Sequence, residues 1–307
     1  MTDSPTEKNK LGVLFAVGAY SAWGFVPLFW RELSLYSSVQ ILAHRILWSL
    51  VFFIVIFLFR GNLTAWINQL TQRENLKKCI PSALVIAVNW SLYIFAVNSG
   101  YALESSLGYF INPIFNFVIG AFFFNEALNG RQWLAFIFAL IGVVIIGFVT
   151  GKTPWIALAL AGTFSLYGIL RKITKIKGTI GTANESAVLV PIALLILISG
   201  ELAPINTLET ESPAYFSTML FFGGAVTAIP LTWFAEAAQR LPLSTLGFYQ
   251  FISPTLQFLI AVFVFKEPFD TKRLIAFVFI WIALGIFIAD SARKSHQARK
   301  ERSKLSI

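Results

Sequence analysis

Charge is scarce in this chain. Asp, Glu, Lys and Arg make up 13% of its 307 residues, against about 25% in an ordinary soluble domain. The single cysteine, Cys79, excludes an intramolecular disulfide, and two histidines beside it leave no cluster spaced for a metal. No G-x-x-x-x-G-K-[ST] occurs, and no stretch between the apolar runs is long enough to fold as a nucleotide-binding domain. No cofactor or metal is therefore expected. A cleavable signal is missing as well: MTDSPTEKNK is polar, and the apolar run from Leu11 is too long for the core of a signal peptide.

Apolar residues are what the chain has in excess, at 57% hydrophobic with 31 Phe and 9 Trp. Runs of ~20 apolar residues span a ~30 Å hydrocarbon layer as helices, and such runs tile the sequence. The fold class expected is all-α integral membrane, with ten transmembrane helices near 11–30, 39–59, 79–98, 104–124, 132–149, 154–170, 182–199, 214–236, 244–265 and 273–290. The seventh is the weakest, because its clean apolar stretch covers only Ala187 to Ile198.

Ten spans put both termini on one side. With the termini inside, eighteen Lys and Arg residues are cytoplasmic, five are outside and Arg45 lies within a span. That bias is the positive-inside pattern, so the net charge of +9 reflects topology, not a nucleic-acid partner. The expected location is the plasma (inner) membrane. The basic tail, residues 291–307, is read as a solvated cytoplasmic segment, with contact to anionic lipid as the alternative.

The chain also repeats itself. At an offset of 141, the stretch Pro113–Phe138 lies over Pro254–Phe279 with nine of 26 pairs identical, including Pro113/Pro254 and Glu126/Glu267. "SSLGY" (105–109) matches "STLGF" (244–248), and "GAYSAWG" (18–24) matches "GTFSLYG" (162–168). Five-helix halves, 11–150 and 152–290, are thus expected. Because five is odd, the second half enters the membrane from the opposite side. Inverted repeats are a recurring device of secondary transporters, which bind solute near the midplane between the halves. A membrane enzyme, a channel and a structural subunit remain the other classes.

Several motifs carry a family resemblance. "FNEALNGRQW" (124–133) followed by Gly142-Val143, echoed by "FKEPF" (265–269), resembles the Glu-containing junction of EamA repeats in the drug/metabolite transporter superfamily. "AHRILWS" (43–49), "SLGYFINP" (106–113) and "TLGFYQFISPT" (245–255) resemble its RarD branch, whose members are named for a link to chloramphenicol sensitivity. The resemblance covers residues 11–290 and implies a ten-helix exporter-type permease. It fixes no substrate. Ala135 and Ala276 stand where EamA repeats often carry Gly, which would loosen a close helix contact.

Polar groups inside the spans supply the candidate site. Tyr109, Asn112 and Asn116 share one face of the fourth span, and the shift by 141 turns them into Gln250, Ser253 and Gln257 on the ninth. An unpaired amide in hydrocarbon costs several kcal/mol, so both faces must turn inward. They could serve as hydrogen-bonded glue between helices or line a central cavity. Pro113 and Pro254, each freeing a backbone carbonyl one turn earlier, favour the cavity. Tyr20 and Trp23 on the first span, Asn89 and Tyr93 on the third, and Trp233 on the eighth are further lining candidates. Aromatic faces with polar tips suit partly apolar organic solutes and can hold cations.

Ionisable groups within spans are functional candidates. Arg45 is a candidate for substrate contact or gating, with snorkelling as its alternative. His44 and Glu236 are candidates for proton coupling. Glu236 stands four residues before Arg240, so a local ion pair is its simpler role. Glu185 aligns with His44 across the repeat, but inversion puts the two near opposite membrane faces. Glu126 and Glu267 should anchor the short turns to the helices that follow them. Gly108 and Gly247 are expected near the moving ends of spans four and nine. The partners expected are a small organic solute and membrane lipid, with a homodimer as one allowed assembly.

Overall fold

The computed structural model describes residues 5–124, 129–150, 153–174, 178–199, 213–241 and 249–305, nearly all helical. Among the described residues the α-helices are α1 (Pro5–Glu32), α2 (Ser38–Phe59), α3 (Leu63–Leu70), α4 (Arg73–Asn98), α5 (Ala102–Phe124) and α6 (Gly130–Thr150). They continue as α7 (Trp155–Thr174), α8 (Gly178–Ile198), α9 (Pro213–Arg240), α10 (Ile252–Leu259) and α11 (Thr271–Leu305). Seven are long and apolar enough to cross a membrane: α1, α2, α4, α6, α8, α9 and the first part of α11. The chain is therefore a multi-pass membrane protein.

Local sequence sets several helix starts. Ser37 accepts a hydrogen bond from Gln40 N at 3.2 Å while Gln40 Oε1 accepts one from Ser37 N at 3.0 Å. Asn129 and Gln132 reciprocate in the same way, at 2.9 Å each, to start α6. Both are capping boxes, which satisfy two backbone N–H groups that the first turn leaves unpaired.

Two segments differ from the sequence reading, and a third, its weakest span, forms as expected. The loop after the second span contains α3, an eight-residue helix whose Leu63, Trp66, Ile67 and Leu70 recur at helical spacing. Its Trp66 ring stacks on Phe57, centroids 5.1 Å apart, and its Nε1 donates to Asn184 Oδ1 at 2.8 Å. The weak seventh span is fully helical as α8, because its polar Asn184 and Glu185 are matched inside the bundle and do not face lipid. The ninth segment is not one straight helix. Gln250 and Phe251 lie in a turn, α10 begins at Ile252, and a π-helical stretch, Ile260–Val264, follows it. Phe265 N donates to Ile260 O at 2.9 Å, the five-residue step of a π turn, and Lys266 ends it at φ 53°.

Pro254 consequently sits in the first turn of α10, where a missing N–H costs nothing. It frees no carbonyl in mid-helix, contrary to the expectation. α5, by contrast, stays helical through residue 113. At the C-terminal end, α11 carries the basic tail onward as helix to Leu305.

Packing divides the molecule unevenly. α6 and α11 pack mainly on each other; the remaining long helices form one bundle in which α4 and α5 meet α7, α2 meets α8 and α9, and α1 meets α9 and α10. In the α6–α11 contact a Cβ on Gly142 would stand 2.8 Å from Ala276 O. Ala276 is fully buried there, so its methyl does not loosen the contact. Small residues let helix backbones approach where apolar burial gives no drive in lipid. Gly108 does the same between α5 and α7, its Cβ position lying 2.8 Å from Ala157 O. It is a packing residue in this conformation; Gly247 lies outside the described residues.

Candidate functional site

The amide groups come first, because they set the helix spacing around everything else. Asn112, fully buried on α5, donates to Ala161 O at 3.2 Å and to Ser165 Oγ at 3.1 Å, both on α7. Asn89 on α4 donates to Leu160 O at 3.0 Å and Thr163 Oγ1 at 2.8 Å, one turn away on the same helix. Gln257 on α10 donates to Trp23 O on α1 at 3.1 Å and to Ser253 Oγ at 3.1 Å. Each amide nitrogen is spent on such bonds, while Asn89 Oδ1 and Gln257 Oε1 are buried without a partner among the described residues. The Asn116 side chain lies outside the described residues, and Gln250 is half-buried in the turn before α10.

Tyr20 and Trp23 form an aromatic cluster with Phe234 of α9, with centroids 5.5 to 6.0 Å apart. Trp233, on the same helix as Phe234, lies over Gly18 of α1 and keeps part of its surface exposed. Glu236 closes the end of the bundle nearest the N-terminus. Its carboxylate accepts from Arg60 Nη2 at 3.0 Å and from Arg240 Nη1. The local pair expected from sequence is present, and Arg60 of α2 adds a cross-helix partner. His44 is half-buried and makes no hydrogen bond among the described residues.

Around Arg45 the arrangement is different. Its guanidinium sits 4.1 Å from the centroid of Trp90 on α4 and 5.3 Å from that of Trp30 on α1. Tyr93 and Tyr109 lie near enough to interact with its charge. No carboxylate comes within ion-pair distance of it among the described residues. Its Nε is sealed from solvent without an acceptor, and so are Trp30 Nε1 and Tyr93 Oη.

From there a file of rings runs along the bundle. Tyr93 meets Tyr109 edge-on at 5.7 Å, Tyr109 meets Phe164 of α7 at 6.1 Å, and Phe164 meets Tyr167 at 6.0 Å. Tyr167 Oη then donates to Glu185 Oε2 at 2.9 Å. Glu185, fully buried on α8, also accepts from Ser82 Oγ of α4 at 2.7 Å and Arg171 Nη1 of α7 at 3.3 Å. The sequence reading treated Glu185 only as a misplaced partner for His44; it is the hub that ties three helices. Buried acids of this kind leave a signal in sequence: a lone Glu within a span, with Arg and Tyr four residues apart on another.

At the opposite end of the bundle, Glu267 turns out to anchor another helix. Its oxygens accept from Ala102 N at 2.7 Å and Leu103 N at 2.8 Å, capping α5. Glu104 caps α7 in turn, accepting from Ile156 N at 3.0 Å. Both line a surface cleft of about 390 Å³ with Arg273 and Trp155. Burial raises the Glu267 carboxyl above its ordinary value, although the two N–H groups oppose the shift. Glu126 lies outside the described residues. Among the described residues no group of His, Cys, Asp and Glu could hold a metal.

Comparison with known proteins gives this arrangement a lineage. Residues 10–148 match the EamA-like transporter family. The chain is 39% identical over 298 residues to the uncharacterized transporter YojE of Bacillus subtilis, covering 94% of this chain and 99% of that one. It is 38% identical to protein RarD of Escherichia coli, covering 96% and 99%. A chloramphenicol-sensitive protein RarD from Pseudomonas aeruginosa is 29% identical, covering 92% and 95%. A solved crystal structure, 17% identical, superposes with a TM-score of 0.61 over 91% of this chain and 97% of the other, and shares the fold.

Proposed function

The chain belongs to the EamA-like transporter family, in its RarD-type branch, and from that premise we propose that it is a secondary active permease. It carries a small organic solute, in the exporter sense, by alternating access between two inverted five-span halves, 11–150 and 152–290. In this reading α5, α7 and the α10 segment join the seven clear spans to make ten. Both termini are cytoplasmic, and the membrane is the inner one. The solute and surrounding lipid are its partners.

One observation carries the reading. A file of aromatic side chains, several half-buried, runs between helices from an unpaired arginine to a buried acid. A bundle built only for stability has no need of an unpaired charge at one end of such a file. Tyr93, Tyr109 and Arg45 form the solute-facing part, with Tyr20, Trp23 and Trp233 on the other wall. Asn89, Asn112, Ser253 and Gln257 hold the helices that carry these walls.

Coupling is assigned to Glu185. It faces Ser82 and Cys79 from α4 and Tyr167 and Arg171 from α7, and protonation would cancel the charge that holds Arg171. Glu236 is held by two arginines at the bundle end and is better suited to bracing α2 against α9. His44 is the second coupling candidate.

Purified protein in proteoliposomes tests this directly. Uptake of a solute panel across an imposed pH gradient should saturate with concentration. E185Q should abolish gradient-driven accumulation while leaving solute exchange intact, whereas H44Q should leave both intact; loss of accumulation in H44Q alone would move the coupling role to His44. Non-saturating flux would indicate a channel and overturn the reading.

A further inference from the structure

The polar atoms left without partners around Arg45 have one chemistry in common. Arg45 Nε, Trp30 Nε1 and Tyr93 Oη all carry N–H or O–H groups, and all are sealed from solvent with no acceptor. Trp30 is 1% exposed, Tyr93 5% and Arg45 9%. Unsatisfied buried donors are rare in native proteins and each one calls for an explanation. A lone orphan is often an unseen water. Three donors from α1, α2 and α4, one of them on a cation with no carboxylate within ion-pair distance among the described residues, make a donor set matched to a negative charge.

The aromatic walls narrow the choice further. Cationic solutes are usually held on ring faces, but the Trp90 face is already occupied by the Arg45 guanidinium at 4.1 Å. An incoming amine would meet a like charge on the very ring that should receive it. An anion meets a planar fork of N–H donors, suited to a carboxylate's two oxygens. The rings that continue from the site, Tyr109 and Phe164, pack edge to face and stay partly accessible, the kind of surface an apolar body needs.

We propose that Arg45, with the Trp30 Nε1–H and Tyr93 Oη–H groups, is an anion-anchoring subsite that selects organic carboxylates with an aromatic or apolar body. The inference rests on the permease reading and specifies its cargo class. A phosphate headgroup offers the same acceptor chemistry, so the solute and lipid sources must be separated by experiment.

Binding to purified protein in zwitterionic nanodiscs, followed by tryptophan fluorescence, is the test. The probes are phenylacetate, phenylacetamide and phenethylamine, which share a ring and differ in charge. The wild type should prefer the carboxylate over the amide by at least ~10-fold and the amine should bind most weakly. R45Q should erase the preference, R45K should keep part of it, and Y93F and W30F should each reduce it. Y93F retains its ring and reports on the donor alone, whereas W30F removes the donor together with part of the ring that lies against Arg45. Retention of the preference in R45Q, or no carboxylate binding at about 1 mM, overturns the proposal. Loss of phenylacetate binding when phosphatidylglycerol is added assigns the donor set to lipid and also overturns it. Transport is read separately in proteoliposomes: saturable flux without Arg45-dependent charge selectivity would sink this subsite and leave the permease standing. Carboxylate binding without flux would do the reverse.

Discussion

Arg45 and Glu185 are both buried ionisable groups within spans, and the bundle treats them in opposite ways. Glu185 accepts three hydrogen bonds from Ser82, Tyr167 and Arg171. Arg45 donates none among the described residues and rests on indole faces instead. A buried charge with matched partners holds a conformation together, whereas one held only by ring faces keeps its hydrogen-bonding capacity for something that arrives. The file of rings between them joins the two conditions. Pairing, more than burial, separates scaffold from site.

The largest expected effect breaks the paired end. E185A takes the Glu185 acceptor from Tyr167 Oη, leaves Ser82 Oγ only Cys79 O and removes the Arg171 carboxylate, and should cost about 3 kcal/mol of stability. Thermal unfolding in detergent would measure it. R45Q, at the unpaired end, should shift the same melt by less than about 1 kcal/mol, because it breaks no hydrogen bond. Equal losses in the two variants would dissolve the contrast.

E267A comes next. It strips two backbone N–H groups at the start of α5 of their acceptor and should cost about 2 kcal/mol, with faster hydrogen exchange at Ala102 and Leu103 as the local readout. The same residue gives a pH test. Because burial raises its carboxyl in the folded state, the folded protein keeps a proton that the unfolded chain releases. Its contribution is therefore full below the ordinary Glu range and is lost as pH rises through the raised value. In E267Q that slope should vanish from a plot of melting temperature against pH.

N112A should lose about 1 kcal/mol, the usual worth of an interhelical amide bond in a membrane. A still smaller effect, under about 1 kcal/mol, is expected for R60A, since the Arg60–Glu236 pair is partly exposed and Arg240 still holds the carboxylate. A large loss in R60A would move Glu236 from brace to gate.

Much of the fold could be read from residue order. Apolar runs marked the helices, although the Asn129–Gln132 capping box that starts α6 was not singled out. α3 was legible too, in its i, i+3, i+4, i+7 pattern, but eight residues are too few to stand out among longer runs. The break at Gln250–Phe251 was not, because nothing in TLGFYQFISPT distinguishes a turn from a continuous helix until neighbouring helices are placed. The site was legible only as a set of candidates. Asn112 and Arg45 look alike in sequence, each a polar group on an otherwise apolar face.

Composition and periodicity by themselves determined that this chain is helical and crosses a membrane several times, since hydrocarbon thickness and backbone hydrogen bonding leave a long apolar run few other forms. The motifs carried the family resemblance. Only the tertiary structure decided which polar side chain met a partner. Hydrogen bonds reach about 3 Å, and whether Asn112 finds Ser165, Glu185 finds Arg171 or Arg45 finds no acceptor depends on how helices distant in sequence rotate and approach.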